Sequence, residues 1–240
     1  MKKEHVKTIR KITLFLVLVI FSVIIYMLFP VFKGLSSEEG RTYAKEILSS
    51  YGIFGSLVII LLEILKVFVV MLPGEPIEIL AGMCFGPIGG LIVIYIGIVL
   101  STFVISKMVK KFGIDIVKDV VSEEKFNKVN DIIKTYPKRV ENIIFILYFL
   151  PIVPKDFLTY IGSLLPMSTR KFIFISLIAR FPAVFSSTFV GTKILDADIK
   201  LIVLTYVITY SISLIVMGIY KLQCSRLEKQ KENNKKIEEK

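Results

Sequence analysis

Two proline-rich segments, the first and second elbow, carry carboxylates inside long apolar stretches. The first reads Pro73-Gly74-Glu75-Pro76-Ile77-Glu78 and the second reads Pro151-Ile152-Val153-Pro154-Lys155-Asp156. Both follow the pattern Pro-x-x-Pro-x-acid, and prolines at this density interrupt a helix because they lack an amide donor. A carboxylate beside broken backbone in an apolar environment takes up a proton or pairs with a cation. This chemistry suits a transport site.

Cationic side chains in the same apolar segments are candidates to pair with these acids. Arg180 lies in the middle of a predicted span, and Glu63 and Lys66 are three residues apart, hence on one helical face. We predict a substrate or proton site made of Glu75, Glu78, Asp156, Arg180 and Lys155, supported by the Glu63–Lys66 pair. Two alternatives remain open: the acids cap the helices after the elbows, and Arg180 snorkels at the interface.

The elbows belong to a longer repeat. They lie 78 residues apart, and the same offset moves the apolar segment 88–106 to 166–184, close to the apolar segment 171–190. A hairpin with an elbow, followed by a span, therefore occurs twice. Two such copies with opposite membrane orientations would form an inverted repeat, a design of secondary transporters.

The composition indicates an all-α polytopic membrane protein. Of the 240 residues, 54% are hydrophobic, and the mean hydropathy is +0.72. Several stretches reach the ~20 apolar residues that cross a bilayer. The net charge is +11, but the basic residues cluster in the two tails and in 107–142, as at a cytoplasmic membrane face and not as for nucleic-acid binding. The sequence has no nucleophile–base pair, metal cluster or phosphate loop, so we expect neither an enzyme nor a cofactor.

The charge distribution also predicts the topology. We assign the N-terminus, the segment 107–142 and the C-terminal tail to the cytoplasmic side of the cell membrane. The predicted full spans are 12–32, 88–106, 171–190 and 200–220. Residues 36–50 should form an external surface helix, with Ser36 and Glu39 as its capping box. The segment 107–142 can be cytoplasmic only if 53–84 and 143–165 are re-entrant hairpins entering from opposite faces, although 53–72 is long enough to span alone.

The chain is thereby divided into three parts. Residues 1–50 hold the anchor helix and the surface helix, 51–192 form the membrane core, and 193–240 hold the last span and a basic tail. Within the core, 107–142 is either a set of amphipathic helices on the membrane surface or a solvated helical hairpin. We expect Gly82, Gly86 and Gly162 to permit close helix contact.

At these motifs the chain resembles the DedA/VTT superfamily, also called the SNARE-associated Golgi protein domain, from about residue 50 to 192. The resemblance is carried by Leu72–Gly82 with Phe85–Gly90, by Pro151-x-x-Pro154-x-Asp156 with Tyr160 and Gly162, and by Arg180-Phe-Pro182 running to Gly191. It is closer to the branch named after a yeast Tvp protein than to DedA itself. The resemblance implies two opposed re-entrant loops and movement of phospholipids or polyprenyl phosphate across bilayers. It also implies dependence on the proton motive force, as in bacterial relatives.

DedA-type members have two arginines at the second elbow, where this chain has Tyr148 and Pro154. A lipid phosphate would then be held by Lys155, Arg180 or Lys66. We predict a proton-linked transporter or scramblase for an anionic lipid, with membrane lipids and protons as partners, no nucleic acid, and possible homo-oligomerisation. The alternatives are a small-solute or ion carrier, and a non-transporting membrane organiser whose basic segments hold anionic lipid or a partner protein.

Overall fold

The described part of the chain is all-α. The computed structural model describes residues 37–50, 52–69, 74–114, 116–117, 126–127, 140–149 and 154–238, with isolated positions between 12 and 26. Its helices are α1 (Glu38–Ser50), α2 (Gly52–Lys66), α3 (Glu75–Phe112), α4 (Val140–Phe149), α5 (Lys155–Leu164), α6 (Thr169–Leu195) and α7 (Ile199–Glu238), and a 3₁₀ turn follows α2 over Val67–Val69. Within these residues there is no strand, which confirms the predicted fold class.

Three of these helices are long and apolar enough to cross a membrane. They are Glu75–Phe112, Thr169–Leu195 and the first part of α7, Ile199–Val216. They correspond to the predicted spans 88–106, 171–190 and 200–220. The predicted span 12–32 lies mostly outside the described residues, and the re-entrant nature of 53–84 and 143–165 stays a prediction.

α3 is a hairpin with a short arm, residues 75–85, and a long arm, residues 87–112. The chain reverses at Gly86, whose φ of 75° is readily adopted only by glycine. A Cβ on Gly90 would lie 2.8 Å from the backbone of Ala81, although residues nine apart in a straight helix are about 13 Å apart. Nothing lies within 4 Å of the Cβ position of Gly86, so its predicted packing role is wrong. Gly86 makes the turn instead.

The second half of the core repeats this order of elements. α2, the first elbow, the short arm and the long arm correspond to α4, the second elbow, α5 and α6. Gly74 precedes the first residue of α3, with Pro76 in its first turn, and Pro154 precedes the first residue of α5. Both elbows therefore end where a short helix begins. Pro73 and Pro151 lie outside the described residues.

Each short helix packs against the long helix of the other half. In the short arm, a Cβ on Gly82 would overlap the backbone carbonyl of Thr188 in α6, and a Cβ on Gly191 would overlap that of Ile79. In α5, the hydroxyl of Ser163 lies 2.9 Å from that of Ser106 in the long arm. Such an exchange of equivalent contacts is expected of two repeats related by an approximate two-fold axis.

Two apolar clusters hold these helices together. The first joins α2, both arms of α3 and α6 through Ile59, Leu62, Ile77, Ala81, Ile94, Ile98 and Val184. The second joins the end of the long arm to α4, α5 and α6, where Gly162 lies against the ring of Phe172. It also contains Val117 and Phe126 from the segment 107–142. The remainder of that segment is mostly outside the described residues, so its membrane-surface placement stays a prediction.

The peripheral helices α1 and α7 flank this core. The surface helix predicted over 36–50 is α1, and it is capped by Ser37, whose Oγ accepts a hydrogen bond from the Gly40 amide at 3.1 Å. Ser36, the predicted cap, lies outside the described residues. α7 packs on α6, where the hydroxyls of Ser186 and Thr209 meet. Most apolar side chains of Ile199–Val216 are exposed, as expected for a helix that faces lipid.

We expect Gly82→Ala to destabilise the protein, although alanine favours a helix. The new Cβ overlaps the Thr188 carbonyl, and forcing extra volume into close-packed helices costs about 1–3 kcal/mol. Gly218→Ala is the matched control, because α7 leaves open space there, and it should raise stability by roughly 0.5–1 kcal/mol. Thermal unfolding in detergent measures both, and a Gly82→Ala protein as stable as the control would contradict the close contact.

Candidate functional site

Lys66 connects the two halves of the protein inside the core. Its Nζ lies 2.8 Å from Oε1 of Glu63, one turn earlier in α2, and 4.0 Å from Oδ2 of Asp156 in α5. All three side chains are buried. Because α2 precedes the first elbow and α5 follows the second, this contact brings the two elbows together.

Arg180 of α6 approaches Asp156 from another side. Its Nη1 lies 3.6 Å from Oδ1 of Asp156, and its Nη2 donates hydrogen bonds of 2.9 Å to the Lys155 carbonyl and to Oγ1 of Thr159. The guanidinium also lies 4.9 Å from the ring centroid of Tyr148, a cation–π contact. Arg180 is only 2% exposed. It is therefore an internal residue that binds the first turn of α5, and the snorkelling alternative is wrong.

Glu78 reaches the same cluster from the short arm. Its carboxylate lies 3.5 Å from the position that a Cβ on Gly74 would take, and Lys66 Nζ would overlap that Cβ. The head groups of Glu78 and Lys66 therefore both lie beside Gly74 in the first elbow, and Lys66 occupies space that only a glycine leaves open. Close approach of α2 is permitted by Gly97 of the long arm, since a Cβ there would lie 2.6 Å from the side chain of Glu63.

The buried cluster has more carboxylates than cations. Glu63, Glu78 and Asp156 face Lys66 and Arg180, and half-buried Lys155 adds a third cation at the edge. Each carboxylate has a buried oxygen without a hydrogen bond: Glu63 Oε2, Glu78 Oε2 and Asp156 Oδ1. The Asp156–Arg180 separation of 3.6 Å is too long for one. Unpaired buried polar atoms are costly, so the cluster is suited to take up a proton or a polar group.

The other predicted site residues lie at the edge of this cluster. Glu75 is exposed in the first turn of α3, next to Pro76. Asp156 occupies the first turn of α5, where the helix dipole favours an acid, and it also faces Lys66 and Arg180. The residues before the two helices, Gly74 and Pro154, form no side-chain cap. All three acids of the predicted site therefore occupy the first turn of a helix, and Asp156 also forms ion pairs there.

Thr159 and Tyr148 contact Arg180, and the sequence did not point to them as site residues. Thr159 Oγ1 accepts a bond from Arg180 and lies 3.3 Å from the Tyr148 hydroxyl. The only signal for Thr159 is its spacing, since Asp156, Thr159 and Ser163 recur on one face of α5. Tyr148 lies near the end of α4, and its ring contacts the arginine supplied by α6.

Comparison with known families decides what kind of domain holds this cluster. A family model for the VTT domain matches residues 72–193, half of the chain. The chain belongs to the VTT domain family. This confirms the resemblance seen in the motifs, whereas the Tvp-like branch stays a prediction. Comparisons with curated proteins and with solved structures gave no match.

The matched VTT domain begins at the first elbow and ends in the last turn of α6. It contains Glu78, Asp156 and Arg180, but Glu63 and Lys66 precede its first matched residue. In this protein α2 therefore supplies a cation and an acid to a cluster otherwise built by the VTT domain.

Proposed function

We propose that this VTT-domain protein moves an anionic lipid across the cell membrane and that protonation of Glu78 or Asp156 is coupled to the movement. The observation that carries the proposal is the buried junction of the elbows through Lys66, Asp156 and Arg180. Charges at the depth of membrane-length helices are costly and usually serve transport or proton relay. Arg180, Lys66 and Lys155 have the chemistry to bind a lipid phosphate.

The lengths of α2, α4 and α5, the helices that flank the elbows, support a re-entrant arrangement. α2 has 15 residues and α4 and α5 have 10 each. At 1.5 Å per residue they extend about 22 Å and 15 Å, less than the ~30 Å of the hydrocarbon core. A hairpin that enters and leaves the membrane on the same face can be built from helices of this length. Irregular backbone inside the bilayer is tolerated where it faces protein or a wet cavity, and the described elbow residues Gly74 and Asp156 lie beside the charged cluster.

The charge balance of the cluster supports a proton as the coupled ion. With every group ionised, three buried carboxylates face two buried cations, so binding one proton or drawing in Lys155 restores neutrality. A lipid phosphate that binds Arg180 or Lys66 would take a cation away from Asp156 and favour its protonation. Lipid and proton binding would thereby be linked.

Lipid movement in liposomes tests the proposal. We expect the purified protein to move fluorescent phosphatidylglycerol between leaflets, and Glu78→Gln and Asp156→Asn to reduce the rate at least tenfold. Each substitution keeps the shape of the side chain but replaces the titratable carboxyl group by an amide that does not titrate. A pH difference across the membrane should change the wild-type rate and leave the residual rate of either variant unchanged.

Glu39→Gln is the matched control, because Glu39 is an exposed acid of α1, and it should behave as the wild type. Uptake of a solute without lipid movement would replace the proposal with a solute carrier. Wild-type rates in both core variants would overturn the roles of Glu78 and Asp156.

A further inference from the structure

A basic surface forms at one end of the protein, where the long arm of α3 ends and α6 begins. The Nζ of Lys110 donates a 2.8 Å hydrogen bond to Oγ1 of Thr169, which joins the last turn of one long helix to the first turn of the other. The exposed cations brought together by this junction are Lys107, Lys110, Lys111, Arg170 and Lys171. Glu141 pairs with Lys171 at 2.6 Å, whereas Lys107, Lys111 and Arg170 form no ion pair with an acid among the described residues.

Exposed aromatic rings lie directly beside these cations. Lys107 Nζ is 4.5 Å from the ring centroid of Phe103, and Lys111 Nζ is 5.5 Å from that of Phe112. Both rings are nearly half exposed, at 44% and 45%. Phe103 precedes Lys107 by one turn of a membrane-length helix, and an exposed ring followed by a lysine is typical of the level at which hydrocarbon gives way to headgroups. The surface thus offers apolar area next to positive charge.

We propose that this end of the protein, defined by Lys107, Lys110, Lys111 and Arg170, is a binding surface for the headgroups of anionic lipids in the adjoining leaflet. The cations match a phosphodiester, and the ring of Phe103, which precedes the lysines in the long arm, matches the upper acyl chain. A soluble anion would use only the charges. The surface is separate from the elbow cluster, and it does not rest on the proposed transport.

The Lys110–Thr169 hydrogen bond holds the C-terminal end of the long arm beside the N-terminal end of α6. α6 is capped by Ser168, whose Oγ accepts a hydrogen bond from the Lys171 amide at 3.3 Å. The long arm is followed by its cap Gly113, whose amide donates to the Val109 carbonyl at 2.7 Å. The basic last turn of one helix therefore lies beside the positive end of the other, where an anion is favoured twice.

Binding of fluorescent phosphatidylglycerol to the full-length protein in neutral detergent tests this proposal. We compare the wild type with the double variant Lys111→Gln/Arg170→Gln, which leaves the Lys110–Thr169 bond in place. We expect the affinity for phosphatidylglycerol to fall about tenfold, since each cation near an anionic headgroup adds to the free energy of lipid binding. Affinity for phosphatidylcholine with the same chains should not change. In the wild type, added salt should weaken only the phosphatidylglycerol binding.

The matched control is Lys193→Gln/Lys200→Gln, which removes one cation from the last turn of α6 and one from the first turn of α7. An equal loss in this control would mean that net charge, and not this surface, governs binding, and would overturn the proposal. So would unchanged affinity in Lys111→Gln/Arg170→Gln. Complete displacement of the lipid by equimolar glycerol phosphate would also contradict it, because the acyl chain would then contribute nothing.

Discussion

Replacing Arg180 by methionine is expected to abolish lipid movement and to destabilise the protein more than any surface substitution. Methionine keeps most of the volume but removes the contact to Asp156 and both hydrogen bonds at the start of α5. Removing one partner of a buried charged group costs about 3–5 kcal/mol, because the other partner remains buried without its counter-charge. Thermal unfolding in detergent and lipid movement in liposomes measure the two losses.

Arg180→Lys separates charge from geometry. A lysine keeps the positive charge, but its ammonium cannot reproduce a planar guanidinium that faces Asp156, the Lys155 carbonyl and Thr159 at once. We expect intermediate stability and a rate at least tenfold below wild type. Lys200→Gln, an exposed cation of α7, is the control for loss of charge alone and should change neither quantity. Wild-type transport by Arg180→Met would refute a role for this residue in the site.

The second large effect concerns the contact between the elbows. We expect Lys66→Met to destabilise the protein by about 2–4 kcal/mol, since three buried carboxylates then face one buried cation, and Asp156→Asn to destabilise it less, since the buried charges then balance. The double variant should lose less than the sum of the two. The coupling energy should be about 1–3 kcal/mol, as found for contacting residues in one charge network.

A cycle of thermal unfolding measurements on these variants determines that coupling. The matched control cycle pairs Lys66→Met with Asp198→Asn, an acid at the start of α7 that caps that helix and lies outside the cluster. In this control cycle, the stability losses of the two single variants should add up to the loss of the double variant. Additive losses in the Lys66–Asp156 cycle as well would mean that the elbows do not interact, and the proposed junction would fail.

Some features of this protein were predictable from local sequence. Long apolar runs can bury themselves only in lipid or in a large core, so the spans 88–106, 171–190 and 200–220 were predictable from composition and length. Paired prolines interrupt a helix because they lack amide donors, and as expected the short arm of α3 and the helix α5 begin within the two elbows. The spacing of Glu63 and Lys66 was enough to predict their 2.8 Å pair.

Which acid of one elbow pairs with which cation of the other half depends on tertiary packing. Lys66 and Asp156 are 90 residues apart in sequence, and no local pattern states which of several acids will face which cation. Likewise, Thr159 was overlooked because a threonine in a helix is unremarkable until Arg180 of α6 reaches it. The exposed position of Glu75, one turn from buried Glu78, follows from which face of the short arm packs against α6.

By itself, the sequence determined that the chain is helical, membrane-embedded and built from two similar halves, because hydrophobic length, proline placement and repeat spacing act locally. Only the tertiary structure decided that each short helix packs on the long helix of the other half and that Gly86 forms a turn. It also decided that Lys66, Asp156 and Arg180 share one buried cluster. Such contacts depend on the relative placement of helices, which their shapes determine only when packed together.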